Sequence, residues 1–384
     1  MKEILHLFKE SDIREELGIG TVRDAFSDML FPGTITLHTR AKYMLFIPWI
    51  FLKHERKQTT SDQIKEYSRK DEIWLVKALL RSGESEGVIG ARAQDSLKIL
   101  PSYMYWSGLG IWGIRRFPGS SYEYFRSLDG FYKYRRRFSV KDGGGSISDI
   151  HHNWDPDVLP IPPNFPENMN LKLNRDEAVY LHDRIKSGCR GSLLAFLLDS
   201  STLTQVNFVW QHPLSAHFSG EHTRIVQHAR NFSDVFHGAA LLYNLMLSEK
   251  KMREEWMDNV REKLASWASH INAREAEVRK WDIQEFWSIV GQQNPHIHFL
   301  TRRFIEKWIS IVFSQADPGK IIEDEAARRL IVERERRIKG SRARLKNPRM
   351  LELWGGSSGS DPLSFRWQVA QRHLNDILNG KNNI

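Results

Sequence analysis

The chain has 384 residues, 41% hydrophobic and 11% aromatic with 13 Trp and 20 Phe, which excludes general disorder and is more than one ordinary core holds. Its net charge is +9, from 56 Lys plus Arg against 47 Asp plus Glu, and a single cysteine, Cys189, excludes a disulfide framework or cysteine-rich zinc module, as expected of a reducing cytoplasm. The longest apolar run, residues 44–52, falls far short of the ~18–20 residues of a membrane span, and the charged opening MKEILHLFKE lacks a signal-peptide core.

In chain order, ELGIG at 16–20 sets two glycines before a short helix over 21–30. Such glycines either present backbone N–H groups to a phosphate, with Arg23 and Arg40 near, or permit a tight turn and close helix packing; the packing role is the commoner. FPGT at 31–34 reads as a turn, 39–53 as a buried helix containing Pro48, and 61–81 as a helix offering Ile64, Trp74, Leu75, Ala78 and Leu79 to a core.

Residues 94–114 have the grammar of a helix-turn-helix, a helix followed by a Pro-Ser break that caps a second. The second helix would open on Tyr103, Met104, Tyr105 and Trp106, which are poor base readers. Beyond it, Arg115, Arg116, Arg135, Arg136 and Arg137 are interleaved with Phe117, Tyr122, Tyr124, Phe125, Phe131, Tyr132 and Tyr134, a pattern that suits a phosphate backbone with unpaired bases. The plainer alternative has those aromatics packing a domain that the arginines rim. Residues 142–170, dense in Gly, Pro and Asn, forbid a long regular element and read as a linker or strap.

After the strap, Trp256, Val260, Leu264, Trp267 and Ile271 recur at 4, 4, 3, 4 spacing, residues 238–247 are apolar nearly all round, and Phe304, Trp308, Ile311 and Val312 form another stripe. Asp317-Pro318 and Asp361-Pro362 each read as an N-cap followed by proline at the first helical position. The expected architecture is all-α: a helical domain at 1–141, the linker, and a multi-helix domain at 171–384.

The basic segment 328–349 carries ten Lys/Arg against Glu333 and Glu335, so a net +8 of the chain's +9 is concentrated there. Acid-to-base pairs at i, i+4 (Asp324–Arg328, Glu325–Arg329, Glu333–Arg337, Glu335–Lys339) account for part of it structurally. Left over as candidate phosphate ligands are Arg334, Arg336, Arg342, Arg344, Lys346 and Arg349. The following loop GGSSGS at 355–360 could form an anion nest beside Arg342, Arg344 and Arg366, which makes Arg366 a further candidate ligand, but it lacks the order of a nucleotide-binding P-loop and reads more readily as a flexible connection. Five histidines between 212 and 237 match no metalloprotease spacing, no GxSxG elbow is present, and neither metal nor cofactor is expected.

Taken together, EELGIGTVRDAFSDMLFPGTITLHTRAKYMLFIPW at 15–49, LPSYMYWSGLGIWGI at 100–114, HGAALLYNLML at 237–247 and KGSRARL with LWGGSSGSDPLSFRW in 339–367 resemble a bacterial domain-of-unknown-function family. The resemblance implies a phage-defence or DNA-restriction setting, with helicase or nuclease partners, and supplies no catalytic residues. The sequence therefore leads us to expect a non-catalytic nucleic-acid-binding or scaffold subunit, meeting DNA more than RNA through backbone phosphates with little sequence preference. The alternatives are an interaction subunit docking an acidic partner and a nuclease or hydrolase with an unrecognised site.

Overall fold

The computed structural model describes residues 16–141, 152–200 and 202–382; the opening MKEILHLFKE and the first part of the expected linker, 142–151, lie outside the described residues. The fold is all-α, as the periodicity predicted, and the described residues contain no strand, only an isolated bridge between Arg115 and Trp154. Among them, no helix is long and apolar enough to cross a membrane.

The chain divides into two compact units, each discontinuous in sequence: Met1–Leu30 with Asn207–Phe365, and Phe31–Val206 with Arg366–Ile384. The Pro-rich stretch is thus no divider between them. Residues 152–170 run inside the second unit, where Trp154 and Phe165 are buried, Asn153 and Trp154 donate to the Glu55 carboxylate, and the Leu159 carbonyl accepts from Trp49 Nε1 at 2.8 Å. Proline forbids regular structure there but not burial, and the strap's aromatic rings favour the interior.

In chain order, α1 (Gly20–Leu30) belongs to the first unit. Helices α2 (Tyr43–Arg56), α3 (Ile64–Arg81), α4 (Pro101–Ile111), α5 (Ser121–Lys141), α6 (Arg175–Gly188) and α7 (Leu193–Leu198) build the second unit. The first resumes with α8 (Gly220–Lys251), α9 (Glu254–Ala273), α10 (Glu275–Val278), α11 (Ile283–Gln293), α12 (Phe299–Ser314), α13 (Glu325–Lys339) and α14 (Pro348–Glu352), and α15 (Trp367–Asn382) returns to the second.

In the second unit α2 is the central element: eleven of its 14 residues are buried, and α3 and α4 pack on it. That packing overturns the helix-turn-helix. Met104, Tyr105 and Trp106 are buried core residues, and a single 3-10 turn, Gln94–Ser96, stands where a first helix was expected. Trp74 also leaves the expected core, 41% exposed beneath the Lys53 ammonium, with its indole N–H donating to Glu167. Two buried titratable features mark this core. The His38 ring stacks on Tyr105 at 3.9 Å and on His373 at 5.6 Å; burial depresses the pKa of His38 to about 3 and that of His373 well below its ordinary value, and neither ring nitrogen of His373 has a hydrogen-bond partner among the described residues. Glu72, wholly buried, accepts from the Ser102 N–H and hydroxyl, and burial pushes its carboxyl up to about 7.

In the first unit the 32-residue α8, capped by Ser219, is the spine, and α9 lies along it with Val260, Leu264, Trp267 and Ile271 buried as their spacing predicted. Gly238 lets the helices meet: a Cβ there would sit 2.3 Å from the Trp267 ring. Asp317 caps the 3-10 turn Pro318–Ile322 as expected. Asp361-Pro362 starts no helix; α15 begins only at Trp367, after Phe365 and Arg366 take left-handed backbone angles.

Candidate nucleic-acid interface

The basic segment is helical through α13, which opens on the carboxylate of Asp324 accepting from the Ala327 N–H at 2.8 Å. That carboxylate also accepts from Gln315, and Arg328 turns instead to Glu249 at 2.7 Å, which raises the guanidinium pKa through the charged hydrogen bond. Of the four expected i, i+4 pairs, Glu325–Arg329 (3.8 Å) and Glu335–Lys339 (3.3 Å) form, while Asp324–Arg328 and Glu333–Arg337 do not among the described residues.

The inward face consumes two of the expected phosphate ligands. Arg334 is buried, its guanidinium donating to the carbonyls of Leu17 (2.7 Å) and Gly18 (2.8 Å) and to the Thr301 hydroxyl (3.0 Å), 5.0 Å over the Phe304 ring. The ELGIG turn thus acts through carbonyl oxygens that receive a cation, not through N–H groups that would receive an anion. Gly18 adopts φ +72°, and a Cβ there would lie 2.7 Å from Arg334 Nη2, so glycine satisfies both the turn and the close approach.

Arg344 is the second loss, bonded to Glu16 at 3.0 Å and to the Ser358 hydroxyl at 3.1 Å, and Lys339 also binds Glu16. Between them the fully buried Glu335 accepts from the Tyr243 hydroxyl (2.6 Å) and from the N–H groups of Arg344 and Leu345 (2.9 Å each). Burial, with the adjoining Glu335 charge, raises the Tyr243 pKa. Two carboxylates thus meet two cations inside the fold, an arrangement whose value is geometric definition more than net stability.

The Gly/Ser loop is pinned rather than flexible. Asn244 grips Ser358 through both its N–H and its carbonyl at 2.9 Å, His237 Nε2 lies 2.9 Å from the Ser360 carbonyl, and the Ser358 amide is thereby withdrawn from any anion nest.

The outward side is different. Arg336, Arg337, Arg342, Lys346 and Arg349 are exposed and make no ion pair or side-chain hydrogen bond among the described residues. Two clefts flank α13. One, of about 120 Å³ between α12 and α13, is lined by Leu300, Arg303, Phe304, Lys307, Leu330, Glu333, Arg334 and Arg337. The other, about 430 Å³ and more open, is lined by Arg328, Arg329, Val332, Glu333, Arg336 and Lys346. Glu333 is the sole carboxylate lining either; since Arg328 and Arg329 are paired with Glu249 and Glu325, the excess positive charge rests on Arg303, Lys307 and Arg337 on one side and on Arg336 and Lys346 on the other. Sequence reasoning missed Arg303 and Lys307, although their i, i+4 spacing along the edge of the Trp308 stripe was there to be read; it also assigned Arg337 to a pair that does not form among the described residues.

In the second unit, Arg115 is withdrawn: it stacks 4.7 Å over Trp106, donates to the Phe117 and Gly119 carbonyls, and burial lowers its pKa. Arg116 pairs with the buried Asp155 at 3.0 Å, and Arg366 donates to the Thr34 carbonyl at 2.8 Å. Arg135, Arg136 and Arg137 are exposed on α5, Arg135 lying 5.6 Å over the Phe131 ring. The aromatics expected to stack on bases mostly pack the core: Tyr124, Phe125, Phe131 and Tyr132 are buried, leaving Tyr122 (65%) and Tyr134 (38%) exposed. Among the described residues no group of three or more His, Cys, Asp or Glu is placed to hold a metal ion; His212, His222 and His228 are buried, the last 3.1 Å from Glu285.

A family model described as "Family of unknown function (DUF6361)" matches residues 1–380, and the chain belongs to that family. No curated protein and no solved structure matches it.

Proposed function

We propose that the first unit binds nucleic acid by its backbone phosphates, through the exposed cations of α12, α13 and the segment that follows. The observation that supports this is the pair of clefts flanking α13, in which Arg303, Lys307 and Arg337 on one side and Arg336 and Lys346 on the other face solvent without an ion pair among the described residues, with Glu333 as the one carboxylate in the lining. Arginine suits this task because its planar fork grips two phosphate oxygens, while lysine contributes charge alone. Arg342 and Arg349 extend the basic surface along the chain, and Arg334 and Arg344 act as its internal anchors. A non-catalytic role in a defence or restriction assembly, the setting that the family resemblance implies, is compatible with such a surface.

The test is a salt titration of DNA binding by the intact chain and by a variant carrying Arg336→Gln, Arg342→Gln, Lys346→Gln and Arg349→Gln. The expected outcome is weaker binding on every sequence and a log–log salt slope flattened by about 0.9 for each duplex phosphate that is no longer neutralised. Unchanged affinity and slope would refute the proposal. DNA affinity no higher than that of a charge-matched control protein would do so as well, and would favour an acidic protein partner for the same surface.

A further inference from the structure

We infer that the ligand of this surface is duplex DNA and that α13 lies in its major groove, with one backbone in each flanking cleft and Glu333 at the base edges. The inference rests on the phosphate-binding role proposed above and names its substrate.

Shape comes first. The solvent side of α13 is one continuous stripe, Glu325 with Ala326, Arg329, Glu333 and Arg336 with Arg337, at helical spacing, with Glu325 paired to Arg329 at its start, while Ala327, Ile331, Arg334 and Glu335 face inward. A helix of 15 residues is about 22 Å long, and with its side chains measures roughly 10–12 Å across. The major groove of B-DNA is about 12 Å wide and accepts one helix. A helix seated there has a sugar-phosphate chain rising on each side, and α13 has a cleft on each side. Each cleft carries its own exposed cations: Arg303 and Lys307 across from α13 on one side, Lys346 on the other. A surface built for a single strand needs one basic channel; two parallel channels separated by a helical ridge fit the two strands of a duplex.

Glu333 supplies the second argument. A carboxylate in the middle of a purely phosphate-binding face would oppose its ligand, and Glu333, exposed, makes no ion pair with Arg337 and no hydrogen bond among the described residues. It lines both clefts and so stands on the ridge between them. At that place in a major groove a carboxylate meets base edges, where it accepts from the cytosine N4 amino group. Duplex RNA offers no equivalent seat, because its major groove is deep and narrow.

The experiment compares the full-length chain on duplex DNA, duplex RNA and single-stranded DNA of equal length at one salt concentration, with dimethyl sulfate footprinting of guanine N7 on the duplex. We expect at least ten-fold tighter binding to duplex DNA than to duplex RNA, and protection of N7, which lies in the major groove. In selection from a random duplex pool, Glu333→Gln should lose at least about five-fold discrimination for C·G at one position, a loss that removal of a charge from the protein surface alone does not produce. The paired variants Arg303→Gln with Lys307→Gln, and Arg336→Gln with Lys346→Gln, should each flatten the salt slope, with unchanged thermal midpoints showing that the fold is intact. Equal affinity for all three polymers without N7 protection, or dependence on only one of the two pairs, overturns the groove placement and leaves the phosphate-binding proposal standing. Absence of salt-dependent binding to any of them removes both.

Discussion

Replacing Arg334 should damage the fold and not the ligand-binding surface, although this residue sits in the middle of the most basic stretch of the chain. Its guanidinium satisfies the carbonyls of Leu17 and Gly18 and the Thr301 hydroxyl, and covers the Phe304 ring. In Arg334→Ala the buried Leu17 carbonyl and the half-buried Gly18 carbonyl lose this donor, at up to about 1–3 kcal/mol each, and the uncovered ring costs a further ~0.5–2 kcal/mol. Because such contributions are not additive, we expect a total of about 3–5 kcal/mol. For a unit of this size that corresponds to a thermal midpoint lowered by roughly 6–20 °C. Arg334→Lys, which keeps the charge but not the fork, should recover less than half of the loss, since one ammonium does not span all three acceptors. The assay is differential scanning calorimetry of both variants alongside Arg336→Gln, with DNA affinity measured well below each midpoint. Arg336→Gln should unfold like the parent and bind DNA more weakly; the Arg334 variants should do the reverse. A parent-like midpoint for Arg334→Ala combined with lost DNA affinity would refute the assignment of this side chain to the interior.

Two further outcomes concern the second unit and pH. Glu72 has its carboxyl pushed from 4.5 to about 7 by burial, so the folded state holds its proton more tightly than the unfolded chain does. The associated stability is complete below about pH 4.5 and is lost as pH rises through 7, by up to about 3 kcal/mol. Glu72→Gln, which retains an acceptor for the Ser102 N–H and a donor for its hydroxyl, should flatten the thermal midpoint across pH 5–8; an unchanged pH profile would contradict this. His38 and His373 act in the opposite sense: burial holds both neutral, with His38 depressed to about 3, so their contribution is complete above pH 6.5 and falls as the unfolded chain takes up protons below it. His373→Phe removes two buried nitrogens without partners and should raise the midpoint at pH 5.5 more than at pH 7.5, whereas equal shifts at both would show that His373 does not titrate on unfolding.

The helical class was legible because apolar spacing at 3 and 4 is a local property, and α8, α9 and α12 follow it. The fate of individual arginines was only partly so. Arg334 lies seven residues from Ala327 and three from Ile331, in phase with the apolar side of α13, so its burial could have been read from helical geometry. Glu16, which takes up Lys339 and Arg344 from more than 300 positions away, follows no local rule and could not. The strap misled for a related reason: proline density reports on backbone regularity, whereas the burial of Trp154 and Phe165 depends on partners distant in sequence. The Gly/Ser loop looked mobile by composition, yet the fully buried Asn244, with His237 and Arg344, fixes it.

The interleaving of the two units also constrains how the molecule is made. Neither can close on the ribosome until the late segments have emerged, because the early α1 waits for partners that end at Phe365, and the middle of the chain waits for α15. At roughly 5–20 residues per second, the interval between the first helix leaving the exit tunnel and its last partner appearing is on the order of 20–70 s. During that time apolar surfaces are held without their final cover, so the nascent polypeptide is a natural client for chaperones, and expressing the protein as two fragments divided within the strap would strand half-built cores in both pieces.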